Sequence, residues 1–382
     1  MRATAAEPDR GHMEALLSQA FGLPVHIARW DRVAPWFVAR CTLTPPVPGL
    51  PPSVVVKWLR DDPNRCNPQQ MVTERAGLEF LGDLGLAIAP ALIACDSATK
   101  VLVLEDLRPR VPLYDLLDGA ETAADATRGL VAFARALGHL GAATVGVGCA
   151  QAYYDRRRAL GSVDPRSDRV GPLADRWEET RAAAAAVGVT TSTKVEAEMV
   201  GVLEALADPG AFLAFSNGDA GDNNFLVAGD DGRIIDFEFS GYRHALWDAA
   251  CLHVPGPRWI TIPDPVRTGL QDVYRAALTE GIPEAADDRV YGEAMAAAAM
   301  TVAIERAAAR IAKVDARAPG DGSRAQMIAT LESGARAATQ HRSLPHLSGW
   351  CRALAEALRS RWPDAHEALV RLSGEPDAWV RR

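Results

Sequence analysis

Phe215-Ser216-Asn217-Gly218-Asp219-Ala220-Gly221-Asp222-Asn223-Asn224-Phe225 is a polar stretch set between apolar runs, and Ile234-Ile235-Asp236-Phe237-Glu238 follows it. Asp219 and Asn224 stand five apart across a glycine-containing loop, and Asp236 comes twelve residues after Asn224. Between them, Phe225–Val227 and Arg233–Ile235 bracket the turn signal Gly229-Asp230-Asp231-Gly232, which predicts a small hairpin. Taken alone, Asp219 and Asn224 also fit an Asx-turn loop with local backbone hydrogen bonds, and Asp236 fits a strand end. It is their order, on either side of a hairpin, that is hard to obtain by chance.

Outward from this stretch the chain changes texture. Before it, strand-like runs occur at Val25–Trp30, Trp36–Leu43, Ser53–Leu59, Ala91–Cys95 and Val101–Leu104. A single helix, Gln69–Leu84, interrupts them, with Met71, Leu78, Leu81 and Leu84 on one face. Thr44–Pro52 is too rich in proline to supply ladder N–H groups and reads as a loop. From about Leu107 the pattern turns helical, at Thr122–Val145, Leu173–Val187 and Thr193–Leu206. After the hairpin, helices are expected at Pro265–Glu280, Pro283–Ala312, Ser323–Thr339 and Leu347–Trp362. The fold class is α+β: a small antiparallel-sheet lobe over residues 1–105, a hinge at about 104–108, and a large helical lobe over 109–382.

An Asp-x-x-x-x-Asn loop followed by a second Asp at a strand end supplies what phosphoryl transfer asks of a protein. It places one carboxylate near an attacking hydroxyl and offers oxygen ligands that hold Mg²⁺ on phosphates. The stretch Asn217–Asp248 resembles the aminoglycoside phosphotransferase and choline kinase superfamily, whose members have a protein-kinase-like fold and phosphorylate small molecules. The resemblance rests on Gly218-Asp219 with Asn224, on Ile235-Asp236-Phe237-Glu238, and on Trp247-Asp248-Ala249-Ala250. It implies Asp219 as catalytic base, Asn224 and Asp236 as metal ligands, and Asp248 as support for the loop.

The same resemblance expects a lysine on a strand and a glutamate on the next helix. Val54-Val55-Val56-Lys57-Trp58-Leu59 carries the lysine, and Glu74 is favoured by position over Glu79. A lone lysine there is otherwise a snorkelling surface residue. Val101–Leu107 resembles the strand entering the hinge, where the backbone of Glu105, Asp106 and Leu107 would meet a purine edge. The implied cofactors are Mg²⁺ with ATP or GTP, and the implied partner is a small molecule offering a hydroxyl. Asp222 and Glu238 are candidate acceptor walls, and an acidic wall suits an amine-bearing acceptor such as an aminoglycoside-type antibiotic.

The chain departs from the pattern in three places. Asn217 stands where the family has His, and Asp222-Asn223 replaces Pro-Gly. Ala28–Trp36 contains no glycine, although glycines let backbone N–H groups approach phosphates closely. A catalytically silent, kinase-like nucleotide-binding scaffold is therefore the alternative.

Composition narrows the field further. The chain has 382 residues, 48% apolar and 24% charged, with a net charge of −8, which argues against a nucleic-acid binder. Its six cysteines form no C-x-x-C pair, so reduced thiols in the cytosol are expected. Neither a signal peptide nor an apolar run of about 18 residues is present, so no membrane partner is expected. A monomer or homodimer in the cytoplasm is the expectation. Gly-x-Ser-x-Gly, His-Glu-x-x-His and the P-loop pattern are all missing.

Overall fold

The computed structural model describes residues 7–33, 36–44, 50–59, 68–119, 123–171, 173–254, 264–308 and 310–372. Cys66, residues 45–49 of the expected proline-rich loop and residues 34–35 of the glycine-free loop lie outside this set. The chain divides into two compact units. The first takes Met1–Val111, Gln151–Val163 and Arg233–Ser240, and the second takes Pro112–Ala150, Asp164–Gly232 and Gly241–Arg382.

In the first unit, β1 (His26–Arg32), β2 (Val38–Thr44), β3 (Ser53–Trp58), β4 (Leu92–Asp96) and β5 (Val101–Glu105) form one antiparallel sheet, in the order β1-β2-β3-β5-β4. The five runs expected as strands all pair here. Alternation along β3 sends Val54, Val56 and Trp58 into a core with Ile27, Cys41 and Val103, and sends Lys57 to the other face. Two helices flank the strands, α1 (Arg10–Phe21) and α2 (Pro68–Asp83), where the sequence suggested only the second. α1 escapes an apolar-periodicity reading because only Met13 and Leu17 are fully buried along it. Its signals lie at its ends. Asp9 caps His12 N–H at 2.9 Å, and Gly22 closes it in the left-handed region at φ 70°.

The second unit is mainly helical. Helix Ala123–Thr144 packs on helix Leu270–Thr279 so closely that a Cβ on Gly138 would lie 2.5 Å from the Tyr274 carbonyl oxygen. Helices Thr193–Ala207, Asp288–Ala308, Ser323–Gln340 and Pro345–Arg361 enclose a core around Met199, Met300, Leu331 and Leu354. The helix expected over Pro283–Ala312 is instead a 3₁₀ turn, Pro283–Ala286, then Asp288–Ala308 and a short Ile311–Asp315. The first break follows from Asp287, whose carboxylate caps the N–H groups of Arg289 and Val290 at 2.9 Å each. Strands Leu213–Ser216 and Gly241–His244 pair antiparallel, with Ser216 opposite Gly241, and so fix where the polar loop begins. Among the described residues, no single helix is long and apolar enough to cross a membrane.

Candidate active site

The residues singled out in the sequence divide between the units. In the first, Lys57 Nζ donates to Glu74 Oε2 at 2.5 Å, to Glu238 Oε2 at 3.4 Å and to Asp236 Oδ1. The pairing with Glu74, rather than Glu79, follows from the chain. Glu74 is buried on α2, whereas Glu79 answers Arg75 and Arg156. Burial alone would lower the Lys57 pKa, but the carboxylates of Glu74, Asp236 and Glu238 outweigh it and push the ammonium up. Burial also raises the Glu74 carboxyl, against the pull of Lys57.

Glu74, Asp236 and Glu238 offer oxygens that all lie within 4.8 Å of one another. Three carboxylates against one ammonium leave a formal excess of two negative charges. That excess and the all-oxygen donor set suit a hard divalent cation. Asp236 adopts φ 66° and ψ 63°, a left-handed conformation that a non-glycine residue holds only when its surroundings over-determine it. Its flanks do so. Ile234 N–H donates to the Ile88 carbonyl at 2.8 Å, Phe237 is fully buried, and Tyr153 OH donates to the Ser240 carbonyl at 3.0 Å.

The strand leaving the sheet is held at Asp106. Its buried carboxylate accepts from Ser53 Oγ at 2.6 Å, Arg108 Nε at 2.8 Å and Arg40 Nε at 3.0 Å. Burial acts to raise the Asp106 pKa, but these donors outweigh it and hold the carboxyl below its ordinary value. Glu105 is tied to Ala91 through both its N–H and its side chain, and the Leu107 carbonyl accepts from Arg110. Arg40, Ser53 and Arg108 carried no signal in the sequence, since each is ordinary in its own segment.

In the second unit the polar loop is built around Asp248. This carboxyl, buried on helix Leu246–His253, accepts from Asn217 N–H at 2.7 Å, Ser216 Oγ at 2.8 Å and Gly218 N–H at 3.2 Å. Burial raises its pKa, and Arg243 with these donors opposes the shift. Gly218 turns the chain at φ 82°, where a side chain would be strained. The fully buried Asn217 then caps Asp219 N–H through its Oδ1 at 3.2 Å, so the residue replacing histidine holds the loop by its own amide. Asn224 Nδ2 reaches back to the Asp219 carbonyl at 2.9 Å and to Asp219 Oδ2 at 3.3 Å.

Asp219 itself is exposed and lines a cavity of about 180 Å³, together with Gly218 and Ala220 of the loop. Trp247, Asp248, Glu305, Arg176, Arg306 and Arg310 also line it. Asp222 is buried within the loop, where it accepts from Asn223 N–H, and does not line this cavity. Glu238 belongs to the Lys57 cluster of the first unit. The arginines went unremarked in the sequence because they come from separate helices with no shared motif.

Residues 57–287 match the model of a family described as the phosphotransferase enzyme family. No curated protein matches the chain. Among solved structures, the chain is similar to a choline/ethanolamine kinase family protein from Mesorhizobium loti, at 16% identity and TM-score 0.48, covering 91% of this chain and 99% of the other. It is also similar to the choline kinase LicA from Streptococcus pneumoniae, at 14% identity and TM-score 0.40, covering 87% and 99%. A third similar structure is a thermostable mutant of aminoglycoside phosphotransferase APH(4)-Ia with ADP and hygromycin B, at 12% identity and TM-score 0.43, covering 90% and 98%.

Proposed function

We propose that this chain, which belongs to the phosphotransferase enzyme family, moves the γ-phosphoryl group of ATP or GTP onto a hydroxyl of a small molecule, with Asp219 as the base. Membership carries the protein-kinase-like fold, a small antiparallel-sheet unit and a large helical one, and the activity of a phosphotransferase acting on hydroxyl groups. The observation that supports the assigned base is an exposed Asp219 carboxylate at a cavity, on a loop fastened from below by a buried Asp248.

In this reading Asp219 orients the acceptor hydroxyl and takes its proton as the phosphoryl group leaves the nucleotide. Asn224, donating to Asp219 Oδ2, keeps that carboxylate facing one way. Lys57, held by Glu74, is assigned to the α- and β-phosphates, and the backbone at Glu105, Asp106 and Leu107 to the base of the nucleotide. Asp236, with Glu238 beside it, is proposed as a Mg²⁺ ligand in the first unit, and Asn224 as a metal ligand in the second; when bound, the ion neutralises charge on the phosphates. An aminoglycoside-type antibiotic or a related metabolite in the cytoplasm is the acceptor class that the family resemblance suggests.

The test is ADP or GDP formation over an acceptor panel. Asp219→Ala should lower turnover by about 10²–10⁴-fold while nucleotide binding survives. Asp236→Ala should lose metal-dependent nucleotide binding as well. Undiminished turnover in Asp219→Ala would remove it as the base. The glycine-free segment Ala28–Trp36 favours a second reading, a nucleotide-binding scaffold without turnover. That reading stands if nucleotide binds with the expected metal dependence and no acceptor yields ADP.

A further inference from the structure

Where β5 leaves the sheet of the first unit, the chain decides which backbone groups stay open. Glu105 N–H donates to the Ala91 carbonyl at 2.9 Å, so a continuing antiparallel ladder would have Ala91 N–H return a bond to the Glu105 carbonyl. Ala91 N–H goes instead to the Glu105 side chain, at 3.1 Å from Oε2. On the other flank Trp58 N–H bonds the Phe37 carbonyl, and by alternation Val54, opposite Glu105, spends its backbone groups on β2. The Glu105 carbonyl is thereby left as an open acceptor.

Leu107 N–H has no acceptor among the described residues, although Leu107 is buried. Backbone donors in buried positions are almost always paired, so this one asks for a partner from outside the chain. The Leu107 carbonyl is in the opposite state. It accepts from Arg110 N–H at 3.1 Å and from Arg110 Nη1 at 3.2 Å, which fills both of its lone pairs. Between the two residues, Asp106 is fastened to Ser53, Arg108 and Arg40, so the peptides on either side are held in place.

The row therefore runs acceptor, donor, blocked acceptor. The pairing edge of adenine sets an N6–H donor beside the N1 acceptor and matches the first two places. Guanine sets the O6 acceptor beside the N1–H donor, and with its ribose on the same side it matches the last two. Held there, it needs the Leu107 carbonyl. Turned over so that N1–H meets Glu105, it would carry its ribose to the other side.

We propose that the donor is an adenine nucleotide and that Arg110, by occupying the Leu107 carbonyl, is the residue that excludes guanine; this rests on the backbone at Glu105, Asp106 and Leu107 being the base site proposed above.

The experiment is calorimetric binding of the Mg²⁺ complexes of ATP, GTP, ITP and 2,6-diaminopurine riboside triphosphate to the full chain. ITP keeps guanine's O6 and N1–H without its 2-amino group, and diaminopurine adds that amino group to adenine's pattern. ATP and the diaminopurine nucleotide should bind about tenfold or more tightly than GTP and ITP. Arg110→Met, which frees one lone pair of the Leu107 carbonyl, should tighten GTP and ITP about tenfold relative to ATP. Arg110→Lys, which keeps a donor there, should stay closer to the parent. A variant that only loosened the fold would weaken all four nucleotides alike and leave their ratios unchanged. GTP binding as tightly as ATP, ITP following ATP, or an ATP-to-GTP ratio unmoved by Arg110→Met overturns the inference and leaves the nucleotide site standing. Failure of every nucleotide to bind overturns the nucleotide reading and this inference with it.

Discussion

At the scale of single residues, the groups beside the polar loop are set by burial more than by sequence motif. His244 ends the strand that pairs with Leu213–Ser216. Its ring stacks on Phe212 at 5.0 Å, and its Nδ1 accepts from Leu246 N–H at 3.2 Å. Burial lowers its pKa from the ordinary 6.5 to about 4. Between those values the unfolded chain binds a proton that the folded one refuses, so stability is full above pH 6.5 and is lost as pH falls through about 4. The loss attributable to this residue is about 3 kcal/mol. Urea unfolding at pH 7 and pH 4 should show a smaller acid-induced drop in His244→Gln than in the parent. An equal drop in both proteins would exclude His244 as the source. Nothing in the local sequence marks this histidine. Lys57, Glu74, Asp219, Asn224 and Asp236, by contrast, were singled out in the sequence because together they follow the order that the family resemblance expects. The arginines facing Asp219 were not, since position 176 and positions 306 and 310 meet only after the helices pack.

At the scale of elements, legibility followed hydrophobic period. The five paired strands and helix Ala123–Thr144 show theirs plainly. α1 buries too few side chains to do so, and its caps at Asp9 and Gly22 emerge only in the structure. Helix contacts can be tested through two glycines of opposite circumstance. In helix Ala123–Thr144, a Cβ at Gly138 would sit 2.5 Å from the Tyr274 carbonyl and 2.7 Å from Ala277 Cβ. In helix Thr193–Ala207, a Cβ at Gly201 would meet nothing within 4 Å. Alanine gains about 1 kcal/mol of helix propensity over glycine in either place. Overpacking costs about 1–3 kcal/mol and wins only at Gly138. Gly138→Ala should therefore lower the urea midpoint and Gly201→Ala should raise it slightly. A stabilised Gly138→Ala would mean that the two helices do not approach this closely.

At the scale of the whole molecule, each unit is assembled from three separated pieces of chain. The first unit takes Lys57 and Glu74 from its opening piece, but Asp236, Glu238 and Ser240 from residues 233–240, and Tyr153 from residues 151–163. A boundary placed near residue 105 captures its sheet and leaves out two strips that finish it. A fragment ending at Val111 should accordingly lack a cooperative thermal transition and fail to bind Mg·ATP, as circular dichroism and calorimetry would register. Cooperative unfolding of that fragment would show the sheet and its two helices to be self-sufficient.

The piecewise build bears on how the protein is made. On a ribosome the sheet-forming residues emerge first, yet the strip carrying Asp236 leaves the exit tunnel only after most of the helical unit's first half. Early emergence gives the N-terminal unit no head start, because its last piece is translated late. Until then Lys57 and Glu74 wait on a nascent chain, and any factor guarding that chain has a half-finished sheet unit to shield.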